Sequence, residues 1–372
     1  MSRVRDDAKK KGYTLEKLGV HLGYSKGNMS TILNAKRNIN FNKFFKLLQF
    51  IYEDKFDTII DTLLAFAYKT DDIMNVRLAC EWFYNHGKLE ELVDLFNKHS
   101  HDPFIKVYTL IFKSRYKNLK RYDLLAQIEE LKDSINDCTE ASILNRIVSL
   151  YAYIDYKSYL LIPDMATTIL KNLDQVKNEY LKESFKYRIM ESVIYSYLKQ
   201  SNIKKVEDLT NKIVGDSRII FNFPMFYTQI LMLLSEANVF RNYEKSKEYL
   251  VNALELFYKN GLKHPYRENA LKSTWDFVNI YHNKFEDLYL DDEAEYIHYL
   301  AKQKNTDKKK VLNMIEALKQ KNGKLSPFQL YYKSLITNNL EDVHNSLIGF
   351  EKEGDVHYAE LPKSLLSISV KR

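Results

Sequence analysis

Apolar residues recur at helical spacing along almost the whole chain, and few breaks interrupt them. Only ten Gly and six Pro occur in 372 residues. So few residues with special backbone dihedrals argue against an all-β fold, which needs them at every hairpin. Amphipathic stretches of roughly 12–20 residues instead predict helices. Beyond the first 55 residues these lie near 56–69, 72–86, 88–98, 103–116, 121–133, 139–158, 162–175, 178–200, 202–214, 223–240, 242–260, 265–282, 286–303, 307–321, 326–337, 340–351 and 356–368.

The N-terminal region has the signals of a helix-turn-helix. Thr14 can cap a helix over 15–22, and Gly23 follows where a left-handed residue often ends a helix. Ser25 can then cap a helix over 26–33. A helix, a tight turn containing Gly and a second helix form the geometry that places a recognition helix in the major groove. The remaining two helices of this region are predicted over 3–11 and 41–52.

The stretch 14–33 resembles the repressor-type helix-turn-helix domain of phage and Firmicutes regulators. Such domains commonly have Ala where this chain has Gly19, so we expect Gly19 to loosen the helix packing. Gly27 lies inside the predicted recognition helix and costs about 1 kcal/mol relative to Ala. The alternative interpretation of the region is a small helical bundle with no role in DNA binding.

The excess positive charge of the chain lies in this same region. Residues 1–55 contain 12 Lys and Arg against 5 Asp and Glu, and the rest of the chain contains 44 of each sign. Phosphate backbones attract such a segment. An Asn can pair with two atoms of adenine, and a Lys can reach guanine or a phosphate. The predicted DNA-binding residues are Lys26, Asn28, Ser30, Thr31, Lys36 and Arg37.

One later segment has the signature of a helical repeat. Residues 242–256 look like the second helix of a tetratricopeptide repeat, with Ala253, Tyr243 and Tyr249 at its packing positions. A helical pair cannot bury its apolar face alone, so such pairs stack into a superhelix. Its concave wall suits an extended peptide or a partner's helix. The alternative is a repeat that serves only as a rigid spacer or a dimerisation arm.

Sequence motifs of enzymes are missing. The chain has no phosphate-binding glycine loop, no zinc-protease motif and no nucleophile elbow. His99, His101 and Asp102 form its densest cluster of metal-ligand side chains, but a following proline predicts that Asp102 caps a helix. Cys80 and Cys138 lie in amphipathic stretches without the basic flanks of a reactive thiolate. We therefore expect no enzyme, no cofactor and no metal.

Two further features predict the cellular compartment of the protein. No stretch approaches the ~20 uninterrupted apolar residues of a membrane span, so no membrane partner is expected. Two cysteines in 372 residues exclude a disulfide scaffold and fit a reduced compartment. We therefore predict a cytoplasmic protein.

A helix-turn-helix followed by a degenerate repeat is the layout of the RRNPP group of Gram-positive peptide-sensing regulators. Within that group the chain resembles the AimR-type arbitrium receptors of Bacillus-group phages through residues 178–188, 239–244 and 350–362. The resemblance implies a homodimer that binds operator DNA in the host cell and regulates the choice between lysis and lysogeny. It also implies that a short imported communication peptide binds in the concavity of the superhelix and switches the regulator off.

The resemblance also implies the peptide-binding residues. Asp355 aligns with an acidic residue that the family uses on a basic side chain of its peptide, and such a buried pair would be strong. The alternative for Asp355 is a turn residue after Gly354. At Tyr195, Met225 and Glu236 the chain departs from its relatives, so a different peptide is expected. The full predicted set is Asp355, Tyr195, Glu236, Arg188 and Asn279.

The sequence thus predicts an all-α chain of three parts. They are a helix-turn-helix DNA-binding domain over 1–54, a degenerate tetratricopeptide-like, right-handed peptide-sensing superhelix over 55–350, and a C-terminal capping or dimerisation segment over 351–372. The last part is shorter and more polar than the Leu-rich capping helix of the family, but dimerisation is still expected because two half-sites double the DNA contacts. The alternatives are a repeat adaptor for a protein partner without sequence-specific DNA binding, and an enzyme regulator of the same peptide-sensing group.

Overall fold

The computed structural model describes residues 1–53, 55–116 and 121–370. The predicted boundary at Asp54 and the last two residues of the predicted C-terminal segment lie outside the described residues. All regular structure in these three ranges is helical, and they contain no strand. The predicted all-α fold is confirmed.

The first four helices form a unit that we call the head, residues 1–52. The side chain of Thr14 accepts a hydrogen bond from the Lys17 backbone N at 3.2 Å, and Ser25 does the same for Asn28 at 3.2 Å. Gly23 ends the helix between them with φ +70°. The predicted start and stop signals are thereby confirmed. The helices are α1 Ser2–Lys10, α2 Leu15–Leu22, α3 Lys26–Leu33 and α4 Phe41–Tyr52.

Gly19 is needed for the turn between α2 and α3. The Tyr24 backbone N donates to the Gly19 carbonyl at 2.7 Å, and a Cβ on Gly19 would lie 2.5 Å from the Tyr24 carbonyl oxygen. The expectation that Gly19 loosens the packing is therefore wrong, because the missing Cβ is what lets the turn close against α2. A Cβ on Gly27, in contrast, would meet no atom within 4 Å.

The helices that follow form the repeat region, in which consecutive helices joined by short loops pack side by side. Its first half contains α5 Phe56–Lys69, α6 Ile73–Asn85, α7 Val93–Lys98, α8 Pro103–Tyr116, α9 Arg121–Ile135, α10 Thr139–Asp155, α11 Ile162–Leu170 and α12 Glu179–Lys199, with short 3₁₀ helices at Leu89–Leu92, Tyr159–Leu161 and Leu173–Gln175. Its second half contains α13 Ile203–Thr210, α14 Ser217–Asn222, α15 Pro224–Asn238, α16 Tyr243–Lys259, α17 Pro265–Tyr281, α18 Glu293–Lys302, α19 Lys308–Asn322, α20 Pro327–Thr337, α21 Leu340–Lys352 and α22 Glu360–Val370.

The head shares a core with the first helices of the repeat region. Buried apolar residues from Val4 to Ile189 form one continuous cluster. The side chain of Asn75, on α6, accepts from the Phe41 backbone N at 2.8 Å and donates to the Ile39 carbonyl at 3.1 Å. Because these backbone groups belong to the start of α4 and the residues before it, one buried amide ties the head to the repeat region.

A second core fills the later helices, and α12 links the two. Its Ile189 belongs to the first cluster, whereas its Ile194 and Leu198 belong to the second. Ala253, at the small-residue position of the predicted repeat helix, is completely buried in the second cluster. The predicted helical-repeat superhelix is confirmed by this stacking of helices over a continuous interior.

The structure differs from the predicted helices most clearly at two places. The helix predicted from 286 begins only at Glu293, because the carboxylate of Asp276 accepts from the backbone N of Tyr289 at 2.8 Å and of Leu290 at 2.7 Å. These bonds hold the preceding segment in an irregular conformation. The short helix α14 was not predicted, because six residues between a cap and a Phe-Pro break give too little periodicity.

Candidate functional site

The outer side of α3 is the candidate DNA interface. This helix buries Met29, Ile32 and Leu33 against the head core. Its other positions, and residues 34–38 of the loop that follows, face away from that core. All six predicted DNA-binding residues reach the solvent. Four are exposed, namely Lys26, Thr31, Lys36 and Arg37, and two are half-buried, namely Asn28 and Ser30.

Side-chain hydrogen bonds order this surface before any ligand arrives. Arg37 Nη1 donates to Asn28 Oδ1 at 2.7 Å, and Arg5 Nη1 donates to Asn34 Oδ1 at 2.7 Å. The hydroxyl of Thr31 donates to the Asn28 carbonyl at 2.8 Å. Arg5 comes from α1 and was missed from the sequence, where the charge excess of the region was the only signal. The DNA-binding role of these residues stays a prediction.

A cavity of about 390 Å³ opens between α6, α8, α10, α12, α15 and α17. Two of the predicted peptide-binding residues, Tyr195 and Glu236, line it. We call it the repeat pocket. Its lining includes both acidic and basic side chains and a histidine: Arg115, Asp155, Glu191, Glu236, His264 and Arg267. Sequence reasoning missed all of these except Glu236, because no local motif connects residues that come from separate helices.

One wall of the repeat pocket is basic. Arg267 Nη2 donates to Glu191 Oε1 at 2.5 Å, and Arg267 also donates to Gln229. Burial, together with the nearby Arg267 and Arg115, lowers the pKa of His264 to about 3. His264 is therefore neutral at physiological pH, and the two arginines supply the positive charge of this wall. Such a wall suits a carboxylate.

The other wall is acidic and lies beside a buried lysine. Burial raises the pKa of Glu236, whose Oε2 accepts from the Tyr358 hydroxyl at 2.9 Å. Lys199 Nζ lies 2.9 Å from Asp355 Oδ2. Burial opposes the charge of Lys199, but Tyr195 and Asp355 outweigh it and raise the pKa of this lysine. The Lys199 cation therefore interacts with two carboxylates, Asp355 and Glu236, at this end of the pocket.

Asp355 begins a turn after Gly354, as one of the two interpretations predicts, and its carboxylate also pairs with a buried lysine. Its side chain is 8% exposed and forms an ion pair with Lys199, while its Oδ1 accepts a hydrogen bond from the Tyr358 backbone N at 3.3 Å. His357 anchors the same segment, because its backbone N donates to the Lys199 carbonyl at 3.2 Å and its Nε2 lies 2.9 Å from the Glu236 carbonyl. Asp355 thus holds the C-terminal segment on α12 and α15, and any contact with a peptide stays a prediction.

Arg188 lies behind the repeat pocket rather than in its lining. Its Nε donates to Glu81 Oε1 at 2.9 Å and its Nη2 to the Tyr108 hydroxyl at 2.6 Å. The guanidinium carbon lies 3.4 Å from the ring centroid of Tyr84, which does line the pocket. The charge of Arg188 is therefore used inside the protein, and its predicted role toward a peptide would act through Tyr84.

Asn279 is also engaged internally. It accepts from the Tyr243 hydroxyl at 2.9 Å and donates to the Trp275 carbonyl at 2.8 Å, and it is 2% exposed. Neither Asn279 nor Met225 is part of the pocket lining. The structure thus brings Tyr195 and Glu236 together at one site and leaves the other predicted peptide residues outside it.

The features considered for enzyme chemistry have structural roles. Asp102 caps α8 through the backbone N of Phe104 at 3.0 Å and also pairs with Arg77 at 2.7 Å, which confirms the predicted cap. Cys80 and Cys138 are buried free thiols, as predicted, and burial raises the pKa of both. Within the described ranges no group of three His, Cys, Asp or Glu side chains could hold a metal ion, and none of the helices there is long and apolar enough to cross a membrane.

Comparison with known proteins identifies a protein family whose model matches this chain. A model described as AimR transcriptional regulator-like matches residues 38–367. An uncharacterized protein of Bacillus anthracis is 26% identical over 247 residues, which cover 65% of this chain and 90% of that protein. The AimR transcriptional regulator of Bacillus phage phi3T is 22% identical over 265 residues, which cover 69% of this chain and 66% of that protein.

Solved structures agree with this match in their fold. The selenomethionine form of phAimR superposes with a TM-score of 0.68 at 17% identity, over 99% of this chain and 96% of that one. The structure described as phAimR-Ligand gives 0.70 at 17% identity, over 90% and 98%. The fold likeness to selenomethionine phAimR extends to the head, most of which precedes the residues that the family model matches.

Proposed function

The chain belongs to the AimR transcriptional regulator-like family, and on that premise we propose that it is a peptide-responsive DNA-binding regulator. The head binds operator DNA as part of a homodimer, and a short imported peptide binds the repeat pocket and switches off DNA binding. We further propose that it acts in the cytoplasm of a bacterial host, in a phage's choice between lysis and lysogeny. The observation that carries the proposal is the presence of an exposed recognition helix and a charged pocket on one chain.

The head has the chemistry that DNA binding requires. Lys26, Lys36 and Arg37 are exposed on α3 and the following loop, where no described carboxylate pairs with them. Release of counterions by such cations supplies most of the sequence-independent affinity of a DNA-binding protein. The polar side chains between them supply hydrogen bonds to base edges. The head therefore has both contributions within one short segment.

The repeat pocket has the chemistry that a short peptide requires. A basic wall at Arg115 and Arg267 suits a free carboxylate, and an acidic wall at Glu236 suits an amino group or a basic side chain. Apolar surface from Tyr84 and Met232 lies between them. A ligand bound to the solved phAimR structure supports the proposal that this fold accommodates one.

The DNA half of the proposal is tested by fluorescence anisotropy on fragments of the promoter region next to the gene. We expect specific binding that weakens steeply with salt, and its loss when Lys26, Asn28, Lys36 and Arg37 are replaced together by Ala. The matched control replaces three exposed lysines of the repeat region, Lys171, Lys204 and Lys212. Equal effects of the two sets of substitutions would contradict the assignment of α3.

The peptide half is tested with a library of short synthetic peptides carrying free termini, titrated by calorimetry. For any peptide that binds, we expect Arg267→Met and Glu236→Gln each to weaken binding by about tenfold. Arg218→Ala, at an exposed arginine outside the pocket, is the control. The bound peptide should also lower the affinity for DNA. Peptide binding that leaves DNA affinity unchanged would favour a repeat adaptor instead.

A further inference from the structure

We propose that Arg37 is a positioning residue for base recognition. By holding the side-chain amide of Asn28, it makes the recognition helix present hydrogen-bond donors and select guanine rather than adenine at that position. The inference rests on the proposed DNA-binding function and adds to it a base preference and the residue that sets it.

The geometry fixes Asn28 at three of its atoms. Its backbone N donates to Ser25 Oγ at 3.2 Å, and its carbonyl accepts from the Thr31 hydroxyl at 2.8 Å. Its side-chain Oδ1 accepts from Arg37 Nη1 at 2.7 Å. The remaining polar atom, Nδ2, makes no hydrogen bond to a described residue. The amide nitrogen is therefore the part of Asn28 that is left to contact a base.

This arrangement opposes the pairing of Asn with adenine. That pairing needs the amide oxygen to accept from the adenine amino group while the amide nitrogen donates to N7. With Arg37 bound to Oδ1, a second donor would have to approach beside a positive guanidinium. The major-groove edge of guanine presents two acceptors, N7 and O6, and no donor, so it suits the Nδ2 donor of Asn28 that remains free when Arg37 holds Oδ1.

A second arginine repeats the arrangement at Asn34, six residues later, at the C-cap of α3. Arg5 Nη1 donates to Asn34 Oδ1 at 2.7 Å, and Asn34 Nδ2 lies 3.5 Å from Ser30 Oγ. The amide oxygens of Asn28 and Asn34 are thus occupied by arginines. The hydroxyl of Thr31 donates a hydrogen bond within its own helix, to the Asn28 carbonyl. Donors from Arg, Lys and amide groups therefore dominate the reading surface, which makes it complementary to acceptor-rich bases.

The test is selection of random DNA duplexes by the full-length protein, followed by sequencing. We expect the wild-type chain to select guanine at one position of each half-site. Arg37→Ala frees Asn28 Oδ1, and we expect the ratio of guanine to adenine at that position to fall by about tenfold. Lys36→Ala is the control, because the Lys36 side chain makes no hydrogen bond to α3 among the described residues. It should weaken binding to all sequences without changing the preference.

A double variant shows whether Arg37 acts through Asn28. In an Asn28→Ala background, Arg37→Ala should leave the base preference unchanged. If Arg37→Ala lowers affinity equally for every sequence, Arg37 is only a phosphate contact and the inference is wrong, while the proposed function stands. If the wild-type chain selects no sequence at all, the proposed DNA-binding function itself fails. Thermal melting of each variant confirms folding, which an exposed loop residue should not affect.

Discussion

The recognition surface of the head and the buried network behind the repeat pocket use the same arginine chemistry in opposite surroundings. Arg37 holds Asn28 across nine residues at an exposed surface. Arg188 holds Glu81 across 107 residues, and the two side chains are 3% and 0% exposed. Exposed contacts of this kind contribute little to stability, whereas breaking a buried ion pair leaves a charge without compensation.

The difference assigns different tasks to the two regions. In the head, polar groups remain available to a ligand, because water already competes for them and little stability depends on them. Behind the pocket, Arg188 and Glu81 are paired with each other, so Arg188 can shape the site only by supporting Tyr84. The same residue type is therefore a candidate for recognition in one region and for stability in the other.

The largest expected effect is that of breaking the buried pair. Glu81→Ala should lower the free energy of unfolding by about 3–5 kcal/mol, because Arg188 then stays buried without its carboxylate. Arg37→Ala in the head should change it by less than about 0.5 kcal/mol. Chemical denaturation followed by circular dichroism measures both.

The control for this pair is a double substitution to apolar residues, Glu81→Leu with Arg188→Met. Because it removes both charges, it should recover part of the stability that Glu81→Ala loses. Equal losses from Glu81→Ala and Arg37→Ala would contradict the distinction between the two regions.

The second prediction concerns the junction between the regions. Asn75→Ala leaves the Phe41 N–H and the Ile39 carbonyl buried without a partner, so it should cost about 2–3 kcal/mol. It should also separate the unfolding of the head from that of the repeat region, which hydrogen exchange can detect. Asn85→Ala, within the repeat region, is the matched control. If the head keeps its protection in Asn75→Ala, the shared core alone joins the regions.

The head could be predicted almost completely from the sequence, because its determinants are local. Thr14, Gly23 and Ser25 lie within three residues of the backbone groups that they cap or turn. The spacing of apolar residues, which is also a local signal, predicted most helices of the repeat region. Where a distant residue intervened, as Asp276 does for the segment before Glu293, the predicted helix was too long.

The repeat pocket could not be predicted in this way. Its walls come from helices far apart in sequence, so the pairing of Arg267 with Glu191 has no local signal. The resemblance to a family pointed to Asp355 but not to Lys199, which lies 156 residues away and occupies its carboxylate. Alignment to a family carries over residue types, whereas the partner of a buried charge depends on this chain's own packing.

The third prediction concerns pH and a buried group in the second half of the repeat region. Burial raises the pKa of Glu295 to about 8, and its carboxyl group contacts the Tyr332 hydroxyl at 2.7 Å and His298 Nδ1 at 3.1 Å. In this range the folded chain binds a proton that the unfolded chain has released near its ordinary pKa of 4.5. The contribution of Glu295 to the free energy of unfolding should therefore fall as pH rises, by about 2 kcal/mol from pH 6.5 to 8.

Other titratable groups limit where this effect can be seen. Burial lowers the pKa of His298 well below its usual range and also lowers that of His86, His264 and His357, so these groups make stability rise as pH passes through about 6.5 and oppose Glu295. The pKa of Asp276 is raised to about 6, so Asp276 has the sign of Glu295 and still adds a smaller loss of stability at the lower end of this range. Lys302, whose pKa burial lowers, and Asp292 are the other charged groups nearby. Compared with the wild-type chain, Glu295→Gln should lose this falling contribution above pH 6.5, and the same pH dependence in both chains would contradict the assignment.

The smallest expected effects come from two glycines of the head, and they have opposite signs. Gly27→Ala should raise the free energy of unfolding by up to about 1 kcal/mol, because Ala favours the helix and its Cβ meets no atom within 4 Å. Gly19→Ala gains the same helical preference but places a Cβ 2.5 Å from the Tyr24 carbonyl oxygen, which is backbone and cannot simply rotate away. A net loss of about 1 kcal/mol is expected.

This pair of substitutions tests whether local geometry alone governs the head. Both glycines lie in short helices of one small unit, and both receive the same single methyl group, so propensity and unfolded-state entropy change equally. The main difference between them is the distance to Tyr24, because Gly19 is buried beneath that turn whereas Gly27 is exposed in the first turn of α3. Thermal melting of the two variants therefore isolates the cost of the turn between α2 and α3. If both variants were stabilised, that turn would be able to relax, and the orientation of α3 would not be fixed by the close approach of Gly19.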